Sequence, residues 1–310
     1  QDFNLLKEKL NPAQLFVLSF FMIIMIGSIL LMLPKSTHNG ITFVNALFTS
    51  TSAVCVTGLV VVDTGTYFTH FGQIVLIFLM QLGGLGIMTF ASFFSYFFKG
   101  VSSYKNQLML SDMTNSEKIA EVFSVIKKII VITFSIEAIG AILIFRSLST
   151  TLIPNLNDRI FFSIFHAVSG FCNAGFSTLT NNLYEVGYRF NYPLHIVIAF
   201  LIILGGIGFP IIFNFFKYLR HLVKNRIKIF EDKQSAIHMP WVININTKLV
   251  VITTAFLIVF GSLFFFILEY NHSLANQSVF GKIVGAFFGA VTPRTAGFNT
   301  INMASLQAPT

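Results

Sequence analysis

Charge is scarce in this sequence. Asp, Glu, Lys and Arg make up only 10% of the 310 residues, where soluble domains carry about a quarter. A chain so poor in charge cannot clothe itself in a hydrated surface, and its 55% hydrophobic residues and mean hydropathy of +0.77 point to an integral membrane protein. Cysteine is nearly absent: Cys55 and Cys172 cannot build a disulfide framework and are expected to be small, buried, reduced side chains. Neither His-Glu-x-x-His nor Cys-x-x-Cys occurs, so the seven histidines give no reason to expect a transition-metal site. His166 is expected to buttress rather than to ligate. Nucleophile triads and carboxylate pairs are also lacking, and the 38 phenylalanines are read as lipid-facing and interhelical filler.

Long uncharged runs are present in their place. Leu15 to Leu33, Phe71 to Phe98, Phe190 to Phe216 and Leu249 to Leu268 each reach the roughly 18 residues of a spanning helix. Ile129 to Phe145 makes a fifth, interrupted only by Glu137. The first run exceeds a usual signal-peptide core and lacks a small-residue cleavage site, so no cleavable leader is expected. Between the spans lie shorter apolar pieces, Ile41 to Cys55, Ile160 to Cys172 and Ile283 to Pro293. At these lengths a helix reaches roughly halfway through a ~30 Å core and must turn back.

Each short piece runs into a glycine followed by a large apolar residue: Gly58-Leu59, Gly175-Phe176 and Gly297-Phe298, the glycines being 117 and 122 residues apart. Superposing them aligns Phe48, Phe165 and Phe287, and also Ser52 with Ser169. One glycine after a helix is ordinarily a C-terminal cap. Three in matching context form an internal repeat of a re-entrant loop. Such backbone is tolerated at membrane depth only where protein or water surrounds it, so its recurrence argues for a shared pore lining.

The repeating unit is span, half-span, loop, span. Repeat 1 covers residues 1–98, repeat 2 covers 119–222 and a partial repeat 3 covers 246–310, with cytoplasmic connectors at 99–118 and 223–245. Two crossings per complete unit give successive units one orientation and an axis along the membrane normal. A cytoplasmic amino terminus and cytoplasmic connectors put 14 of the 20 Lys and Arg residues on that side, as the positive-inside rule requires, and the loops then open outward. The net charge of +8 therefore needs no nucleic acid. The basic stretch from Lys217 to Lys233 is read as a topology signal, with anionic lipid or a cytosolic partner as the alternative.

A cation crossing a membrane exchanges its water for other oxygens, which backbone carbonyls can supply without a fixed charge. Val56, Thr57 and Gly58, Asn173, Ala174 and Gly175, and Thr295, Ala296 and Gly297 are accordingly the candidate cation filter, since their small side chains and glycines let successive carbonyls face one axis. Half-helices ending there would aim partly negative carboxyl ends at the ion. Cys55, Cys172 and Arg294 hold equivalent places and are candidate filter supports, with the Arg294 guanidinium expected behind the filter, where a cation would not repel the ion. Glu137, alone in an apolar span, costs roughly 3 kcal/mol unpaired. It is expected to be a structural brace paired with Arg294 or Arg146, and Glu137→Gln is expected to lower the amount of folded protein. Gly83-Gly84-Leu85-Gly86 and Gly205-Gly206-Ile207-Gly208 lie inside spans rather than after strands, so they are read as close-packing sites, with a bend helped by Pro210 in the second.

The stretches Val-Thr-Gly-Leu (56–59), Asn-Ala-Gly-Phe-Ser (173–177) and Thr-Ala-Gly-Phe-Asn (295–299) resemble the Trk/Ktr/HKT superfamily of potassium transporters. Gln81 to Phe90 looks most like the Ktr-type membrane subunit. The resemblance implies an all-α membrane fold of helix–pore-loop–helix units around a central pore, plasma-membrane location and potassium uptake, with K+ as the bound ion, Na+ as a candidate activating ion and no organic cofactor. It also implies a homodimer, lipid surroundings and a cytosolic nucleotide-binding regulatory ring. Such proteins have four filter segments and this sequence has three, so the expectation is an incomplete sequence rather than a separate complementing piece, with the family's gate outside it. A coupled secondary transporter would show inverted repeats or paired intramembrane acids, and an intramembrane enzyme a convergent nucleophile or metal. Neither pattern is visible.

Overall fold

Long and short helices alternate along the chain in the computed structural model, which describes residues 12–98, 116–209, 211–214 and 245–307. The long ones are α1 (Pro12–Leu31), α3 (His70–Phe98), α4 (Ser116–Ser147) and α7 (Ile245–Glu269). The short ones that precede the repeated loops are α2 (Phe43–Val54), α5 (Leu156–Phe171) and α8 (Val279–Val291). Their 12, 16 and 13 residues give lengths of roughly 18–24 Å, less than a bilayer core. Each starts on a side-chain cap. Thr42, Asn155 and Ser278 accept hydrogen bonds from the backbone N–H groups of Asn45, Asn157 and Gly281, which satisfies donors that a helix start leaves bare. Among the described residues the structure is helix and loop, apart from one isolated bridge between Thr37 and Phe68.

The observed α6 (Tyr192–Ile207) is shorter than the uncharged run from Phe190 to Phe216 led us to expect. Gly208 adopts φ +87°, a conformation that no helix continues through, and helical backbone resumes directly after it, at Phe209 and residues 211–214. By contrast α3 runs unbroken through Gly83, Gly84 and Gly86. Pro210 and the greater part of both connectors lie outside the described residues.

Packing places each half-helix against its own unit, and α5 and α8 also against the preceding one. α1, α2 and α3 pack together, as do α4, α5 and α6, and α7 packs on α8. Across units, α3 touches α5 and α6 touches α8. Glycine makes the closest approaches possible: a methyl group at Gly83 would overlap the Val54 carbonyl, and one at Gly205 would overlap the Phe171 carbonyl. Both carbonyls lie four residues before a filter glycine, so the second span of each complete unit presses on the end of its own half-helix. One core cluster joins Leu76 and Met80 to Phe165 and Phe176, and another joins Phe171 and Ile198 to Phe288 and Phe298. The outward faces are apolar. Phe256, Val259, Leu263 and Ile267 of α7 are all exposed, a surface suited to lipid and not to water. The repeated phenylalanines differ in setting: Phe165 is fully buried in the middle unit while Phe48 is 40% exposed.

Candidate ion filter

The three loops leave their helices by a shared backbone route in the first two units. Cys55 N–H donates to the Thr51 carbonyl and Cys172 N–H to the Val168 carbonyl, each at 2.8 Å, closing the last helical turn. Two residues later, Thr57 N–H reaches back to the Ser52 carbonyl at 2.9 Å and Ala174 N–H to the Ser169 carbonyl at 2.8 Å. Val56 and Asn173 take φ of +58° and +60°, Gly58 and Gly175 both +71°, and the residue between each pair keeps a negative φ. That alternation swings successive carbonyls to one side of the strand. Left-handed backbone costs a branched residue such as Val56 about 1–2 kcal/mol, so the surrounding structure must enforce it. In the third unit a 3-10 turn, Thr292–Arg294, intervenes and Thr295 takes φ −163° and ψ −15°, yet Gly297 arrives at φ +73°.

The loops converge. A methyl group on Gly58 would lie 2.8 Å from the Ala174 carbonyl oxygen and 3.5 Å from the Gly175 Cα. One on Gly175 would overlap the Ala296 carbonyl oxygen, and one on Gly297 would lie 4.0 Å from the Gly175 Cα. These three glycines also share the floor of a cavity of about 390 Å³, walled by Asp63, Ser177, Asn182 and Asn299. All three half-helices point their carboxyl ends at this meeting place, where helix dipoles favour a cation.

Hydroxyls and amides hold the loops from behind. Ser169 Oγ donates to the Phe176 carbonyl and Thr292 Oγ1 to the Phe298 carbonyl, each at 2.7 Å, tying the last turn to the residue after the filter glycine. In the first unit Thr57 Oγ1 donates to Ser52 Oγ at 2.9 Å. His166 is fully buried, with Nδ1 2.9 Å from the Phe162 carbonyl and Nε2 2.9 Å from Ser177 Oγ. The carbonyl can only accept, so Nδ1 carries the proton. Ser177 then donates to Nε2 while its oxygen accepts from Leu179 N–H. The Asn173 carboxamide, in the orientation that its neighbours' donors and acceptors assign, goes further, donating to Thr295 Oγ1 and to the Ile202 carbonyl and accepting from Gly206 N–H, each at 3.1 Å. Ile202 and Gly206 lie one turn apart in α6, so Asn173 docks on that turn while joining two of the loops. Of these residues, Ser52 and Ser169 are marked in the sequence by their alignment, whereas Thr292, Ser177 and Asn182, which donates to the Gly175 carbonyl at 3.4 Å, carry no such sign.

The expected supports fall differently. Cys172 is buried and its sulfur packs where Gly84 lacks a side chain, but Cys55 is exposed, contrary to the expectation of two buried thiols. Both are free thiols. Arg294 donates to Thr254 Oγ1 of α7 at 3.4 Å and is not among the residues walling that cavity. Glu137 does not meet Arg294 or Arg146. It is buried beside the Cys172 thiol, 4.0 Å away, and near the carboxamide of Gln81, and one of its oxygens has no hydrogen-bond partner. No cation pairs with it among the described residues, because Arg294 is held on α7 and Arg146 is exposed. No cluster of three or more His, Cys, Asp or Glu side chains suited to a metal occurs among the described residues either. The arrangement brings peptide oxygens of neighbouring loops together beside a polar cavity.

Comparison with known proteins agrees with this geometry. The family model described as cation transport protein, TrkH, matches residues 10–310. The chain is 38% identical over 306 residues to the Ktr system potassium uptake protein B of Bacillus subtilis (strain 168), a match that takes in 97% of this chain and 63% of that protein. It is 35% identical over 301 residues to the potassium/sodium uptake protein NtpJ of Enterococcus hirae, covering 96% of this chain and 61% of that one. The chain thus spans less than two thirds of the length of these relatives. Among solved structures, the potassium transporter TrkH from Vibrio parahaemolyticus superposes with a TM-score of 0.61 at 18% identity, over 95% of this chain and 53% of that chain, a likeness of fold.

Proposed function

We propose that this chain, which belongs to the TrkH family of cation transport proteins, forms the filter-bearing part of a potassium-uptake pore in the plasma membrane. The observation that carries the reading is the meeting of Gly58, Gly175 and Gly297, with the Ala174 and Ala296 carbonyls lying directly against the neighbouring glycines. A potassium ion entering from outside would lose water in steps to the carbonyls of Val56, Thr57 and Gly58, of Asn173, Ala174 and Gly175, and of Thr295, Ala296 and Gly297. Movement would be downhill, driven by the membrane potential. Cys55, Cys172 and Arg294 would help to shape the loops, and Glu137 would brace α4 against α3 and the second loop.

Two relatives, one named for potassium uptake and one for potassium and sodium uptake, support K+ as the transported ion and keep Na+ as a second ion to be tested. The reading includes units at 1–98, 119–222 and 246–310, cytoplasmic connectors at 99–118 and 223–245, and an amino terminus in the cytoplasm. It also includes assembly as a homodimer with a cytosolic nucleotide-binding ring. The test is potassium uptake in a transport-deficient cell carrying the full-length gene, with and without Gly175→Ser. A serine there is strained by its positive φ and collides with the Ala296 carbonyl, so uptake should fall by about tenfold or more, or its preference for K+ over Na+ should collapse. Unchanged uptake with unchanged ion preference would contradict the filter assignment.

A further inference from the structure

The cavity above the filter contains a carboxylate that the carbonyl mechanism does not use. Asp63 is the only charged side chain among the described residues lining that cavity, which shares its floor with Gly58, Gly175 and Gly297. Its position is fixed in two ways. Asp63 Oδ1 accepts from both Thr66 N–H and Thr66 Oγ1, each at 2.7 Å, capping the single turn Thr64–Tyr67. That turn is wedged against the second unit, because Gly65 approaches the Thr178 carbonyl so closely that a methyl group would overlap it. The carboxylate is therefore held at the cavity, with no hydrogen bond to Oδ2 among the described residues. Around it the wall is neutral and oxygen-bearing, from Thr180, Asn182, Asn299 and Asn302.

We infer that Asp63 forms an outer collecting site for hydrated monovalent cations, raising their concentration at the entrance before they are stripped of water at the filter. The inference rests on the pore reading above. A fixed negative charge in a concave, low-dielectric mouth focuses its field into the cavity, and the surrounding carboxamides and hydroxyls can accept hydrogen bonds from the water that the ion still carries. An ion held through its water binds weakly enough to move on. The site would thus affect capture, and the filter would retain the choice of ion.

Capture and turnover separate in transport kinetics. Rubidium uptake, as a tracer for potassium, would be measured with the full-length protein in proteoliposomes, at an ionic strength of about 0.01 M and again at about 0.15 M set with choline chloride. The screening length shrinks from about 30 Å to about 8 Å between them. Asp63→Asn keeps the capping oxygen and removes the charge. Its KM for external ion should rise about threefold at low ionic strength with Vmax nearly unchanged, and the difference should shrink at the higher one. Asp63→Glu should restore the original KM, and Asp63→Ser, a second neutral cap, should repeat the Asn result if the Asn variant is poorly made. A wild-type KM in the neutral variants, a loss confined to Vmax, or a KM shift indifferent to ionic strength would overturn the proposal. An unaltered KM in Asp63→Asn beside lost uptake in Gly175→Ser would remove the collecting site alone. Normal uptake in Gly175→Ser would remove the pore reading as well.

Discussion

Gly175 sits at φ +71° with the Ala296 carbonyl against the place where a side chain would begin, so a larger residue must displace two filter segments together. Requirements of this kind show in a sequence, because a position that needs both positive φ and close backbone approach accepts little but glycine. Glu137 illustrates what does not show. Composition offers Arg294 and Arg146 as counter-ions, but proximity is decided by packing, which puts Cys172 and Gln81 beside the carboxyl instead. The expected outcome for Glu137→Gln changes accordingly. No ion pair is lost and a buried ionisable group is made neutral, so the amount of folded protein in detergent extracts should equal or exceed that of the parent, with ion preference unchanged. A marked fall in folded protein would mean that a cation pairs with this carboxylate in the membrane. His166 with Ser177, and Asn173 with Thr295, were similarly out of reach of the sequence, since each pair depends on a neighbour delivered by another turn or loop.

The half-helices were readable as elements because an apolar run too short to span leaves few other solutions. Their ends are set by contacts that glycine alone permits. Gly205→Ala would drive a methyl group into the Phe171 carbonyl, and overpacking of this kind typically costs about 1–3 kcal/mol. Gly206→Ala is the matched control, since its methyl group would meet nothing nearer than Thr295 Oγ1 at 3.8 Å. Melting followed in detergent should show a clear drop for the first and little change for the second, and equal drops would refute the close-packing role of Gly205. The break in α6 falls where a bend helped by Pro210 is expected; the same Gly-Gly-x-Gly pattern in α3, followed by Met88 in place of that proline, stays whole. The neighbouring loop residue differs too: Asn173 has an amide that bonds Ile202 and Gly206, whereas Val56, its counterpart in the first unit, has none. The Asn173 side chain, bonded to one turn of α6, couples the second span of unit 2 to the second loop.

On the scale of the whole molecule, the same handover recurs between neighbouring units: the second span of one flanks the half-helix of the next, α3 on α5 and α6 on α8. Repeating that step around an axis brings the loops together at the centre and leaves apolar faces such as that of α7 outside. The spacing of 117 and 122 residues made the repetition legible, but the angular step between units follows from glycine-mediated contacts that no spacing encodes. The central claim is that a dehydrated monovalent cation sits among the carbonyls of these converging loops. Anomalous scattering from crystals of the full-length protein soaked in thallium(I), which substitutes for potassium, tests it most directly. The account predicts anomalous peaks on the axis beside Gly58, Gly175 and Gly297, within direct coordination distance of the Thr57, Ala174 and Ala296 carbonyl oxygens. Well-ordered loops with no peak there, and thallium bound only at side-chain carboxylates elsewhere, would contradict it.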